Sequence, residues 1–110
     1  QERVAKAEAT VRSARAFLYE TTAELWATVN ERGSLTEQQH ALGRLALMHA
    51  VESGAYAVDL VYRAAGTAAI FTTNLLERFF RDVHVATQHR FASPEEMYQV
   101  GKVLLGRSHE

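Results

Sequence analysis

Val4, Val11, Leu18 and Leu25 recur at strict seven-residue intervals, and Ala7, Ala14 and Thr21 form a second row beside them. From Arg3 to about Glu31 there is neither Gly nor Pro, and Ala, Glu, Arg and Leu dominate. Those residues favour helix interiors, so the pattern predicts one long helix whose seam suits close antiparallel packing. Phe17 and Trp26 lie off the seam and call for a second buried face, inside a bundle or against another subunit. Gly33 breaks the helix, and Ser34-Leu35-Thr36 leads into the next. Thr36 with Gln39 reads as a capping box. A second helix is predicted from Glu37 to about Ala65, ending at Gly66, where glycine accepts a left-handed cap. Its apolar residues (Leu42, Leu45, Met48, Val51, Tyr56, Val58, Leu60, Tyr62) wrap most of its circumference, which marks it as the most buried helix.

A connection from Thr67 to Thr73 follows, and Asn74 is placed to cap a third helix from Leu75 to about Arg90. Its expected core stripe is Leu76, Phe79, Phe80 and Val83. Ser93-Pro94-Glu95-Glu96 opens a fourth helix that ends near Leu105-Gly106, with Ser as N-cap and Pro at the first helical position. No strand signal and no internal repeat interrupt this series. The expected fold is all-α: an up-down helical bundle of two long helices followed by two shorter ones.

Composition narrows the function classes. At 110 residues and 12.3 kDa the chain has the size of one domain. An apolar share of 47%, a single Pro and six Gly exclude a disordered tail or a low-complexity linker. The absence of Cys excludes disulfide scaffolds, thiolate metal sites and Cys nucleophiles. Twelve basic residues against thirteen acidic ones leave a net charge of −1, with no field of one sign to attract nucleic acid or an anionic membrane. No apolar run approaches the roughly 20 residues of a membrane helix, and no basic-then-apolar export signal opens the chain. The expected location is therefore cytoplasmic. Gln1 in place of an initiator Met points to a processed or excised piece.

Five histidines are the side chains that titrate near neutrality. Glu37 and His40 have the Glu-x-x-His spacing of dimetal bundles, but such sites need a second copy and two further carboxylates, which are missing. His40 reads as a solvated first-turn residue, and no metal is expected. His49 lies on the most apolar helix and reads as a hydrogen-bonded core or interface histidine. His84 and His89 are five residues apart, so they point about 140° away from one another and cannot chelate one ion. His109 falls in a polar tail. Arg78 and Asp82 form a surface i,i+4 pair. No nucleotide-binding glycine motif, nucleophile elbow or zincin helix is present. Patterns alone therefore give a helical bundle and no reaction.

One set of segments adds to this. Arg63-Ala64-Ala65-Gly66-Thr67, Leu76-Glu77-Arg78-Phe79-Phe80-Arg81-Asp82-Val83-His84, Gln88-His89 and Ser93-Pro94 together resemble the C-terminal helical domain of the acyl-CoA dehydrogenase superfamily. More closely, they resemble its type 2 branch, which includes flavin-dependent monooxygenases. Ala16-Phe17-Leu18-Tyr19-Glu20 and the close at Gly101 to Gly106 fit the same branch. The resemblance covers nearly all of residues 1–110 and implies a fragment. The N-terminal helical domain, the middle β-domain and the first long helix of the family's bundle are expected upstream, in a parent several times longer.

The resemblance also implies a site. In many dehydrogenases of the family a Tyr-Glu-Gly-Thr motif supplies the base that removes a substrate α-proton, while others carry the base on a different helix. In this register that Glu falls at Arg90, which cannot act as a base. The family's Gln-x-x-Gly-Gly-x-Gly turn, which meets the flavin of a neighbouring subunit, reads here Arg63-Ala64-Ala65-Gly66-Thr67-Ala68-Ala69. Arg63 is implied to pair with the flavin phosphate, and Gly66 and Thr67 to approach it through their N–H groups. His89 is implied to be the catalytic residue, facing the flavin ring where oxygen adds. An imidazole there can donate a hydrogen bond or accept a phenolic proton, and Phe91 and Met97 could wall a dry site. His84 reads as a packing or interface residue.

The implied parent is an oxygenase component using FMN or FAD reduced by a separate reductase. It would assemble as a homotetramer and act on a small aromatic or polyketide-like molecule. Two alternatives stand beside it: an acyl-CoA dehydrogenase oxidising an acyl thioester, and a non-catalytic helical oligomerisation module. The fragment by itself is expected to be inactive under each of them.

Overall fold

Helix ends in this chain are set by local chemistry. The computed structural model describes residues 1–65, 74–87, 93–107 and 109. Among them it places α1 (Glu2–Arg32), α2 (Glu37–Ala65), α3 (Asn74–Thr87) and α4 (Pro94–Leu104), and no strand. α1 stops where Gly33 takes φ 81°, a left-handed conformation that lets its N–H donate to the Val29 carbonyl at 2.8 Å. The predicted capping box is formed in both directions. The Gln39 N–H donates to Thr36 Oγ1 at 3.1 Å, and the Thr36 N–H donates to Gln39 Oε1 at 3.0 Å. Gln39 Nε2 donates onward to Thr28 Oγ1 at 2.9 Å, so the cap of α2 also grips the last turns of α1. At α4, extended Ser93 accepts from the Glu96 N–H at 3.3 Å, with Pro94 opening the helix.

α2 is the central element: α1, α3 and α4 all pack on it. Its buried residues fall on two faces at 100° per residue. Ala46, Ser53 and Ala57 form one face, and Ala41, Met48 and Ala55 form the other. The second face meets α4, where Ala41 and Met48 cluster with Val100 and Val103, and Leu45 and Met97 pack around them. The first face receives α1.

The predicted heptad is present in α1, but its inner row differs from expectation. Ala7, Ala14 and Thr21 are buried, whereas Val4 and Val11 stay 54% and 45% exposed. Small residues on both helices explain this. With Ala and Ser opposite, the axes come close enough for Cβ atoms to fill the seam, and the valines ride along its edge. The expected second buried face of α1 is likewise uncovered within the chain, with Trp26 at 69% exposure. Phe17 and Leu18 are half-buried. The result is an elongated body of 52 × 29 × 23 Å, its length following from the 31-residue α1.

In α3, Val83 of the predicted stripe is half-buried. The side chains of Leu76, Phe79 and Phe80, the Thr67–Thr73 connection and the predicted run to Arg90 lie outside the described residues.

Candidate functional site

Of the four residues assigned to a site, Arg63 is the one within the described residues; Gly66, Thr67 and His89 lie outside them. Arg63 sits in the last turn of α2 and is exposed. Its position has two consequences. The guanidinium complements the negative end of its own helix. It also presents a planar fork of donors at the surface, suited to a phosphate or carboxylate. That chemistry fits the phosphate of a flavin nucleotide in one respect. Arg63 lines none of the clefts described below.

One turn before Arg63, Asp59 makes a contact the sequence did not reveal. Its Oδ1 lies 3.0 Å from His84 Nε2 on α3. Both side chains are partly shielded, His84 at 40% and Asp59 at 34% exposure. The expectation that His84 is a packing residue omitted this partner, which is 25 residues away in sequence. A signal was present: Asp59 is a lone carboxylate within Ala57-Val58-Asp59-Leu60-Val61. A charge inside an apolar run needs either solvent or a partner.

The other histidines are placed as follows. His49 is exposed and not a core residue. Its Nε2 lies 3.3 Å from the Oγ of buried Ser53, and its ring stands 6.0 Å from that of Phe17 at 58°. The i,i+4 spacing to Ser53 draws the imidazole along the helix surface while the small-residue seam leaves no room for it inside. His40 is exposed in the first turn of α2, as expected, and His109 is exposed. Among the described residues no group of three His, Asp or Glu could hold a metal ion. Met97 belongs to the α2–α4 core, and Phe91 lies outside the described residues.

Clefts run along the α1–α2 hairpin. Val4, Val11, Val58 and Val61 line an apolar one of about 310 Å³ between α1 and α2. A second, of about 220 Å³, continues it past Ala14, Leu18, Ala50 and Gly54. A polar one of about 400 Å³ lies at the other end of the hairpin, by Thr28, Thr36 and Gln39.

Residues 1–94 match the family model described as acyl-CoA dehydrogenase, C-terminal domain. The chain belongs to that family. Individual proteins resemble it over most of its length. The chain is 33% identical over 104 residues to an indole-3-acetate monooxygenase of Pseudomonas putida, covering 94% of this chain and 27% of the relative. It is 31% identical over 102 residues to an indole-3-acetate monooxygenase of Acinetobacter baumannii, covering 93% and 26%. A pigment production hydroxylase of Rhodococcus erythropolis is 28% identical over 100 residues, covering 91% and 25%. This acyl-CoA dehydrogenase C-terminal domain thus spans about a quarter of the length of these relatives. No solved structure matches it significantly. No helix among the described residues is long and apolar enough to cross a membrane.

Proposed function

We propose that this chain is the C-terminal helical domain of a flavin-dependent monooxygenase, the oxygenase component of a two-component system. The observation that carries the reading is similarity over more than nine-tenths of the chain to two monooxygenases and a hydroxylase. Arg90 at the position of the dehydrogenase base supports it, since a guanidinium cannot remove an α-proton. Reduced FMN or FAD, delivered by a separate reductase, supplies the electrons that split O2, one oxygen atom entering an aromatic substrate and the other leaving as water.

In this reading the chain's own residues do four things. Arg63 pairs with the flavin phosphate, and the Gly66 and Thr67 N–H groups approach the same group. His89 is the catalytic residue: its imidazole donates a hydrogen bond at the reacting oxygen or holds the proton released by a phenolic substrate. The uncovered apolar flank of α1 and α2, from Val4 and Val11 to Trp26, packs against other copies in a homotetramer. Exposed apolar stretches of this extent mark interfaces. The location of the whole protein is cytoplasmic, with no role in binding nucleic acid or membrane.

The test uses the full-length protein with enzymatically reduced flavin, ¹⁸O₂ and indole-3-acetate or a related aromatic acid. Incorporation of one labelled oxygen, lost in a His89→Ala variant that still binds flavin, is the expected result. Flavin reduction by an acyl thioester would overturn the reading in favour of a dehydrogenase. Absence of any flavin binding would leave the exposed apolar flank as the functional surface, that of an oligomerisation module.

A further inference from the structure

We infer that, within the homotetramer proposed above and resting on that assembly, the open side of the α1–α2 hairpin closes on the same side of a second copy. The two hairpins run antiparallel, α1 against α1, about a two-fold axis near the middle of α1.

The open side is continuous over both helices. On α1 the exposed large apolar residues are Val4, Val11, Tyr19, Trp26 and Val29. At 100° per residue all five fall within an arc of about 80°. On α2, Leu47, Ala50, Gly54, Ala57 and Val61 follow the three-four spacing of a packing stripe, with no polar residue among them. Leu47 and Val61, at either end of this stripe, are exposed. Val61 lines one cleft with Val4 and Val11, and Ala50 and Gly54 line its continuation with Leu18 and Tyr19. The two stripes therefore border a single groove. With α1 about 45 Å long and the face two helices wide, it offers about 800 Å² per copy, the size of a standard specific interface.

The charge of α1 selects a second copy as the occupant and fixes its direction. Residues 2–15 hold four basic and two acidic side chains, and residues 16–32 hold one basic and three acidic, so the halves carry +2 and −2. Parallel pairing of two copies would set like halves together. Antiparallel pairing sets the half with Arg12 and Arg15 against the half with Glu20 and Glu24 of the other copy, twice over. The sign reverses between Arg15 and Glu20, which puts Tyr19 close to the axis. In such an isologous contact, residues near the axis meet their own copies and residues far from it do not.

The experiment places one cysteine at a time on this face of the full-length protein: Tyr19→Cys, Trp26→Cys or Val4→Cys. Mild oxidation is followed by mass spectrometry of the linked peptides, and sedimentation of the wild type gives its assembly state. Tyr19 is 60% exposed, so its replacement leaves the fold intact, and Tyr19→Cys should link to its own copy in most chains. A disulfide spans Cα atoms up to about 7 Å apart. About a central axis the two copies of residue 26 stand about 25 Å apart and those of residue 4 about 40 Å. Trp26→Cys and Val4→Cys should therefore link to themselves at least about tenfold less than Tyr19→Cys. Leu47→Glu, which puts a charge into the α2 edge of the contact, should weaken self-association at least about tenfold.

Equal linking at residues 4 and 19 would mean parallel helices and overturn the inference. So would unchanged association in Leu47→Glu. A wild-type tetramer in which Tyr19→Cys stays unlinked would overturn the pairing and leave the tetramer standing, with another segment of the polypeptide on this face. A wild-type monomer would overturn both. Oxygen incorporation by the wild type decides the monooxygenase reading separately from any of these.

Discussion

The two sides of α2 hold their partners by opposite means. Toward α1 it presents Ala46, Ser53 and Ala57 against Ala7, Ala14 and Thr21. Toward α4 it presents Met48, with Leu45 beside it, against Val100, Val103 and Met97. The first side is long and thin: backbones approach closely, little apolar area is removed per residue, and the larger side chains stay at the rim. The second is short and thick: a few bulky side chains interlock over an 11-residue helix. A small-residue seam fixes how two helices lie against each other. A bulky cluster supplies more stabilisation per residue. Both occur on one helix, so substitutions of opposite character should hurt on opposite sides.

The largest effect is expected from removing bulk on the thick side. Met48 is 1% exposed, and Met48→Ala should cost about 3 kcal/mol through lost burial and the cavity left behind. Urea unfolding should show a lower midpoint with an unchanged slope. A loss below about 1 kcal/mol would mean that α4 is not held by this cluster.

On the thin side the damaging change is added bulk. Ala46 is fully buried, and Ala46→Leu should cost about 2 kcal/mol by forcing α1 and α2 apart. Val11→Leu, at the exposed edge of the same seam, should leave stability within about 0.5 kcal/mol. If the two leucine substitutions behaved alike, the assignment of the inner row to alanine would be wrong.

The hairpin also depends on its turn. Thr36→Ala removes the acceptor of the Gln39 N–H and should cost about 1 kcal/mol. Gln39→Ala removes the reciprocal bond and the link to Thr28, so its loss should equal or exceed that of Thr36→Ala. Thermal unfolding of the two single variants and the double one checks this, with non-additive losses expected for a shared cap.

Much of this fold was legible in the sequence because its boundaries are local. Gly33, Thr36 with Gln39, and Ser93-Pro94 each act within one turn of themselves, and each ends or starts a helix where the spacing predicts. What the sequence concealed is non-local. The valine row of α1 has the stronger hydrophobic signal, and alanine wins the interior only because α2 offers Ala46, Ser53 and Ala57 opposite it. The same holds for chemistry. Arg63 could be assigned to the end of α2 from the series alone, whereas the bond between Asp59 and His84 spans two helices and carries no spacing rule. His49 keeps the expected hydrogen bond, to Ser53, but lies outside the core of the chain, because the small-residue seam beside it has no space for a ring.

The finest probe of the comparison is a pair of glycines on α2. A Cβ added at Gly43 would meet Leu25 Cδ1 at 2.9 Å, while one added at Gly54 meets nothing within 4 Å. Both lie inside a helix, where alanine is favoured over glycine by about 1 kcal/mol. Gly54→Ala should therefore stabilise the chain by most of that amount. Gly43→Ala gains the same helix propensity but has to displace the end of a half-buried leucine, so its net effect should fall within about 0.5 kcal/mol of zero. The difference between the two melting shifts measures the tightness of the seam at one point. Equal shifts would mean that Leu25 yields freely and that close approach ends before Gly43. A clear loss at Gly43 would extend the small-residue seam along the full length of the hairpin.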